Sequence, residues 1–185
     1  MPNNNTIAIA KCAGGGLPSN AQGASSTSEI QFKKDVVEGG TTTTRNLTVA
    51  VPGANRIKNK PVSIKIWGRS TTSGASNLTL KIYSGADIST GTSIATSGAI
   101  AVGSTLSSNF YLECVGVWDS DSDKFQGRFN GHVNGTAVAY TIDSSVTVPA
   151  IDPSLETWFL SASLQYSASN AANLAILDGF EVNML

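Results

Sequence analysis

Apolar and polar residues alternate one by one over several short stretches of the chain. In residues 61–67 (PVSIKIW), Val62, Ile64 and Ile66 fall on one side of an extended chain, and Ser63, Lys65 and Trp67 fall on the other. Since successive side chains of a β-strand point to opposite faces, this pattern predicts half-buried strands. Similar patterns predict strands at residues 29–32, 46–51, 77–83, 109–118, 124–133, 137–142, 157–166 and 173–185. In the last stretch, one face is predicted to carry Leu174, Ile176, Phe180, Val182 and Met184.

Turn signals separate these segments and predict how they connect. Asn134-Gly135 is a strong signal for a tight β-hairpin. Residues 68–77 and 119–124 are predicted to be hairpin loops, and residues 85–108 a crossing connection with one weak strand. Roughly eight to ten short strands with such turns indicate an all-β fold, an antiparallel β-sandwich of the jelly-roll type.

The first 27 residues differ from the rest of the chain. A short apolar segment is followed by a Gly- and Ser-rich stretch without a period, which is typical of a flexible tether. We therefore expect residues 1–27 to form an extended arm and residues 28–185 to form the sandwich domain. An apolar segment on a tether is suited to pairing with the sheet edge of a neighbouring molecule. The predicted partner-binding residues are Thr6, Ile7, Ala8, Ile9, Ala10 and Lys11.

The charge pattern argues against several classes of function. Charged residues make up 14% of the 185 residues, the formal net charge is -1, and the longest basic run is Lys33-Lys34. A nucleic-acid-binding protein usually carries a basic stripe, so we expect no nucleic-acid partner. The apolar runs are shorter than a membrane span, and the N-terminus lacks the pattern of a signal peptide. Synthesis in a cytoplasm, without a membrane partner, is the expectation.

Cysteine and histidine are too few and too far apart for a local zinc site. Cys12 and Cys114 form no paired motif, and His132 is the only histidine. We expect two free thiols, one of them in a strand, and no cofactor. His132 falls on the polar face of its strand and no nucleophile motif accompanies it, so the chain is not expected to be an enzyme.

Three aspartates, Asp119, Asp121 and Asp123, form the densest cluster of carboxylates in the chain. A calcium loop of the EF-hand type that began at Asp119 requires Gly at its sixth position and Glu at its twelfth, where this chain has Lys124 and Asn130. The flanking segments are also strands rather than helices. The cluster therefore indicates a solvated hairpin loop, and a calcium or magnesium site of another type, shared between subunits, is the alternative.

Outward-facing aromatic residues are candidates for a sugar-binding surface. Trp67 and Tyr83 both point outward by the alternation. If residues 68–77 close a hairpin, Trp67 lies near the loop and Tyr83 at the far end, so the two rings do not form one flat surface. Trp118 and Trp158 fall on faces predicted to be core.

The arm MPNNNTIAIAKCAGGG, the closing segment WFLSASLQYSASNAANLAILDGFEVNML and the size of the chain resemble the jelly-roll decoration (cement) proteins of tailed-bacteriophage capsids. This resemblance implies a non-enzymatic virion protein, made in the host cytoplasm, that binds the major capsid protein on the outer capsid surface and stabilises the shell. It also implies a homo-oligomer, with a trimer favoured. Outward apolar residues would then pack between subunits, and the candidates are Tyr111, Val115 and Val117.

A second class of function stays open beside this one. A carbohydrate- or receptor-binding β-sandwich module of a phage fibre or spike would have the same composition and fold. It predicts an aromatic platform or a loop cluster supported by calcium, and these features distinguish it from a decoration protein.

Overall fold

The structure, a computed structural model, describes residues 6–11, 21–23, 27–38, 40–51, 60–72, 76–102, 108–119, 124–133, 136–137, 140–142 and 157–185. These residues form sixteen strands, all paired antiparallel, and none of them lies in a helix that is long and apolar enough to cross a membrane. The strands are β1 (Thr6–Lys11), β2 (Ala21–Gly23), β3 (Ile30–Gln31), β4 (Lys33–Glu38), β5 (Thr41–Asn46), β6 (Thr48–Val51), β7 (Pro61–Thr71), β8 (Asn77–Ser84), β9 (Thr92–Ser97), β10 (Ile100–Ala101), β11 (Ser108–Asp119), β12 (Lys124–Val133), β13 (Thr136–Ala137), β14 (Tyr140–Ile142), β15 (Trp158–Tyr166) and β16 (Leu174–Met184).

Two seven-stranded sheets pack face to face as a sandwich. In sheet A the order is β1-β16-β7-β11-β12-β13, and β2 also pairs with β16. In sheet B the order is β14-β9-β8-β15-β3, with β10 on β8 and β6 on β15. The pairs β7–β16, β8–β15, β9–β14 and β11–β12 are nested along the chain, as in a long hairpin rolled into two sheets. The predicted all-β, jelly-roll-type sandwich is confirmed.

Side chains from the inner faces of both sheets form one core. Trp158 is fully buried, its ring centroid lies 6.0 Å from that of Phe125, and its Nε1 donates a hydrogen bond of 2.9 Å to Ser84 Oγ. Cys114 is a free thiol in β11, and burial, helped by the charge of Glu113, raises its pKa to about 12. The predictions for Trp158 and for one strand cysteine are thus confirmed, whereas Cys12 and the side chain of Trp118 lie outside the described residues.

One expected hairpin and one expected strand are wrong. β7 belongs to sheet A and β8 to sheet B, so the chain passes from one sheet to the other between Thr71 and Asn77 instead of closing a hairpin. In the same way, the predicted strand at residues 137–142 is divided between β13 of sheet A and β14 of sheet B. Loop length alone does not distinguish a hairpin from a crossing between sheets. The predicted hairpin between β11 and β12 is confirmed, and its register places Asp119 opposite Lys124 and Tyr111 opposite His132.

Strand β16 carries a β-bulge that was not expected. The register against β7 shifts between Leu177 and Gly179, and Asp178 is the extra residue. Because a bulge reverses the alternation, Ile176 aligns with the outward-facing Arg69, whereas Phe180 aligns with the buried Ile66. The prediction that Leu174 and Ile176 share one face with Phe180, Val182 and Met184 is therefore wrong.

The segment between β3 and β6 leaves sheet B as a two-stranded ribbon, β4–β5. Its base is closed by a hydrogen bond of 2.7 Å from Leu47 N to Phe32 O, and its turn contains Gly40 with a φ of 81°. Residues 33–45 had no predicted strands. The exposed side chains described in β5 occupy both faces of the ribbon, and they are Thr41, Thr43, Thr44, Arg45 and Asn46.

Residues 27–29 are fixed to the outer face of sheet B by the carboxylate of Glu29. Lys81 Nζ lies 2.7 Å from Glu29 Oε2, Tyr83 donates its hydroxyl hydrogen to Oε1 over 2.7 Å, and Ser163 donates a hydrogen bond to the same oxygen. Burial by itself would raise the pKa of Glu29, but the hydrogen bonds from Lys81, Ser163 and Tyr83 outweigh it, so the pKa is lowered from its ordinary 4.5. Glu29 thereby fixes the chain directly before β3, the first strand of sheet B.

We expect Glu29→Gln to lower the stability of the sandwich by about 1–2 kcal/mol at neutral pH, because it removes the charge from buried hydrogen bonds. A lowered carboxyl pKa stabilises the fold above the ordinary pKa of 4.5, and this contribution is lost as the pH falls through the folded-state value. In urea unfolding, the free energy of unfolding should fall less between neutral pH and pH 3 in the variant than in the wild type. Tyr83→Phe, which removes one donor, should give a smaller effect of the same sign, and identical acid profiles for Glu29→Gln and wild type would contradict this assignment.

Candidate functional site

Three ring side chains form a row across the outer face of sheet A. Trp67 of β7 lies opposite Tyr111 of β11, and Tyr111 lies opposite His132 of β12. Directly opposed residues of antiparallel strands have Cβ atoms about 4.5–5.5 Å apart, so these side chains are neighbours. Trp67 and Tyr111 are half-buried and His132 is exposed. We call Trp67, Tyr111 and His132 the aromatic row.

The indole of Trp67 lies flat on Gly179 of the neighbouring strand β16. Gly179 is the residue opposite Trp67, and a Cβ atom placed on it would be 2.1 Å from Cζ2 of the indole. Only glycine leaves room for the ring against the β16 backbone. The bulge at Asp178 sets this alignment, because without it a different residue would lie opposite Trp67.

Tyr111 and His132 stack with a centroid distance of 5.8 Å and an angle of 18° between their planes. Burial raises the pKa of the Tyr111 phenol to about 12, and the charge of Glu113, a hydrogen bond to Glu113 and the charge of Glu181 act in the same direction. The phenol therefore stays protonated across the physiological range, and its one O–H hydrogen is donated to the carboxylate of Glu113. The negative charges that act on it show that carboxylates lie close to the row.

Two ion pairs border the row, one on each side. On one side Lys65 Nζ lies 3.7 Å from Glu113 Oε1, and Ser63 donates a hydrogen bond of 2.6 Å to the same oxygen. On the other side Arg69 donates from Nε and Nη2 to the two carboxylate oxygens of Asp178, both over 2.9 Å. The hydrogen bond to Asp178 raises the pKa of Arg69. A bidentate pair of this kind fixes the plane of both groups.

Together these residues offer an aromatic surface with polar groups of fixed orientation at its borders. Such a surface can hold a ligand that has an apolar face and hydroxyl groups at its edges, because the rings contact the face and the borders hydrogen-bond to the hydroxyls. Each of the bordering charges is already paired within the protein or close to an opposite charge. The arrangement therefore favours hydrogen bonding over charge attraction.

The residues predicted from the sequence lie in different places. Thr6–Lys11 forms β1 and pairs with β16 of the same chain, and its binding to a partner stays a prediction. Asp119 ends β11, but its side chain and all of Asp121 and Asp123 lie outside the described residues, so the cation hypothesis also stays a prediction. Among the described residues, no group of three or more His, Cys, Asp or Glu side chains is placed to hold a metal ion. His132 is exposed on the outer face, as expected.

The aromatic row itself was missed. The predicted positions of the Trp67 and Tyr83 rings rested on a hairpin that does not exist, since these residues lie on opposite sheets. The true partner of Trp67 is Tyr111, which was predicted to point outward together with Val115 and Val117. One part of the row is predictable from the sequence, because the register of the β11–β12 hairpin follows from its loop and places Tyr111 opposite His132.

A concave feature, distinct from the aromatic row, lies at one end of sheet B. It is a polar groove of about 320 Å³, and the ring that lines it, Tyr166, is fully buried. The groove therefore offers hydroxyl and amide groups without an exposed ring. Its lining residues are Thr27, Asn77, Thr79, Ala99, Gln165, Tyr166 and Ser167. We regard the aromatic row as the better candidate site.

No family model matches this sequence, and no curated protein matches it. Solved structures do resemble its fold. The carbohydrate recognition domain of Emp47p aligns with a TM-score of 0.42 and 9% identity over 96% of this chain and 95% of that domain. The CBM2 module of the evolved Dit protein of Lactobacillus casei BL23 phage J-1 aligns with a TM-score of 0.42 and 9% identity over 92% of both chains. A protein of unknown function from Shewanella oneidensis MR-1 aligns with a TM-score of 0.43 and 15% identity over 85% of this chain and 80% of that one. The function of the present chain is therefore inferred from its own residues.

We expect Gly179→Ala to displace the Trp67 indole, because the added methyl group would overlap the ring. Forced overlap of this kind costs about 1–3 kcal/mol. Chemical denaturation of the single variants and of the double variant with Trp67→Ala measures the coupling. In the Trp67→Ala background, where the ring is absent, Gly179→Ala should lower the free energy of unfolding only slightly. An equal cost in both backgrounds would show that the indole does not lie on Gly179.

Proposed function

We propose that this chain is a carbohydrate-binding β-sandwich module whose ligand lies on the outer face of sheet A. The observation that carries the proposal is the aromatic row with its two fixed ion pairs. The apolar C–H face of a sugar ring packs well on an aromatic side chain, and sugar hydroxyls both donate and accept hydrogen bonds. Both requirements are met on this one face.

The state of the row supports this function. Trp67 is held flat by Gly179, and Tyr111 is held between its cross-strand neighbours and Glu113. Rings that are fixed before the ligand arrives lose little conformational entropy on binding. The carboxylate of Glu113 is fixed in the same way by the hydroxyl of Ser63, and Asp178 and Arg69 fix each other. Polar groups in fixed positions provide specificity in a small-molecule site.

The direct test is a glycan array probed with the full chain and with Trp67→Ala and Tyr111→Ala. Each substitution should weaken binding at least about tenfold, since truncation of an aromatic anchor typically costs 2 kcal/mol or more. Both side chains point away from the core, so urea midpoints should confirm that the variants are folded. Phe159→Ala is the matched control, because Phe159 is 42% exposed on the other sheet. Unchanged binding in both row variants, or an equal loss in Phe159→Ala, would refute the proposal.

A second candidate function is the one implied by the resemblance to capsid decoration proteins. The observation that favours it is the β4–β5 ribbon. An isolated two-stranded ribbon is marginally stable in water, and the described side chains of β5 are exposed on both faces. Packing of the ribbon against a sister subunit or a shell protein would stabilise it. In this case the protein forms an oligomer, for which a trimer is our expectation.

Light scattering of the full chain and of a variant with residues 34–45 replaced by a short turn tests this second candidate. If the ribbon joins subunits, the full chain should have the mass of an oligomer and the shortened variant that of a monomer. Circular dichroism would check that the sandwich of the variant is intact. A monomeric full chain would contradict assembly through the ribbon and would leave the glycan-binding proposal unaffected.

A further inference from the structure

The aromatic row is longer than one sugar ring. It crosses β7, β11 and β12, and the indole of Trp67 extends over Gly179 of β16. Neighbouring strands lie about 4.8 Å apart, so the row spans roughly 14 Å from β16 to β12. A sugar ring is similar in size to one aromatic side chain. A single sugar would therefore cover only part of the row, whereas an oligosaccharide that runs across the strands would contact all of it.

The charged groups on both sides of the aromatic row disfavour the binding of anionic ligands. Three carboxylates, those of Glu113, Asp178 and Glu181, lie beside the row with two cations, Lys65 and Arg69. Arg69 is held by Asp178 in a bidentate pair, and Lys65 lies near Glu113 and opposite Glu181. An acidic sugar would compete with these carboxylates for their cations and would be repelled by them. A neutral sugar meets no such penalty, because its hydroxyls donate to carboxylates and accept from cations.

From the length of the row and the charges beside it, we infer that the ligand is an uncharged oligosaccharide that lies across strands β16, β7, β11 and β12. This inference rests on the proposed carbohydrate-binding function and adds the class of ligand and its direction on the sheet. Trp67 forms one end of the binding surface and His132 the other. A longer oligosaccharide gains contacts until it covers both ends of the row, and any further sugar units extend past it.

Calorimetry with the full chain and defined sugars tests the inference. The probes are glucose, galactose and mannose oligomers from the monosaccharide to the hexasaccharide, together with galacturonic acid oligomers of the same lengths. Affinity for the neutral series that binds should rise at least about tenfold from the monosaccharide to the trisaccharide, which corresponds to 1.4 kcal/mol, and then level off. Galactose oligomers should bind at least about tenfold more tightly than galacturonic acid oligomers of equal length if the galactose series is the one bound.

Two variants sharpen the test. His132→Ala removes an exposed ring at the far end of the row, so it should lower the affinity for the trisaccharide severalfold, and by more than it lowers the affinity for the monosaccharide. Glu181→Gln removes one carboxylate and should reduce the difference in affinity between neutral and acidic oligomers. Both side chains lie on the outer face, and urea midpoints again check the fold.

The possible failures are distinguishable. If acidic oligomers bind as well as neutral ones, or the monosaccharide as well as the longest oligomer, and Trp67→Ala still abolishes binding, the carbohydrate-binding function stands and this inference is wrong. If neither these sugars nor any glycan of the array binds, the proposed function fails and the inference fails with it. A loss of monosaccharide affinity in His132→Ala equal to the loss of trisaccharide affinity would contradict the direction of the ligand across the strands.

Discussion

The pairing of β7 between β11 and β16 is the constraint on which both faces of sheet A depend. One face of β7 places Ile64 and Ile66 in the core, where both are fully buried, and the other face places Trp67 beside Tyr111. Because side chains alternate along a strand, a slip of one residue would exchange these two sets. The burial energy of the core therefore also holds the aromatic row in place, and the outer surface needs no separate device to fix its register.

The sequence pattern was sufficient for most strands of the sandwich, for the faces of the regular ones and for local pairs. The β11–β12 hairpin closes over a short loop, so counting back from its end places Tyr111 opposite His132. The pairs of β7 with β11 and β16 join segments that are far apart in the chain, and no turn signal specifies them. This is why Trp67 was compared with Tyr83, a residue of the other sheet, and why the row was not recognised.

The part of the site contributed by β16 depends on a local irregularity that alternation cannot predict. Asp178-Gly179 interrupts an otherwise apolar segment, and glycine inside a strand often marks a bulge or a close approach of another group. Here it marks both. The bulge turns Asp178 toward Arg69, and the missing side chain of Gly179 makes room for the indole of Trp67. The energetic value of the glycine is visible only when the cross-strand neighbour is known.

The two candidate functions use different parts of the molecule, the outer face of sheet A and a ribbon that leaves sheet B. They are therefore physically compatible. If the proposed function is right, a surface of half-exposed rings and internally paired charges would give modest affinity for each glycan, because most of its polar groups already have partners. Linking several such surfaces in one oligomer raises the overall affinity through effective concentration, without any new contact. If the ribbon assembles subunits, assembly would supply the binding strength that a single aromatic row lacks.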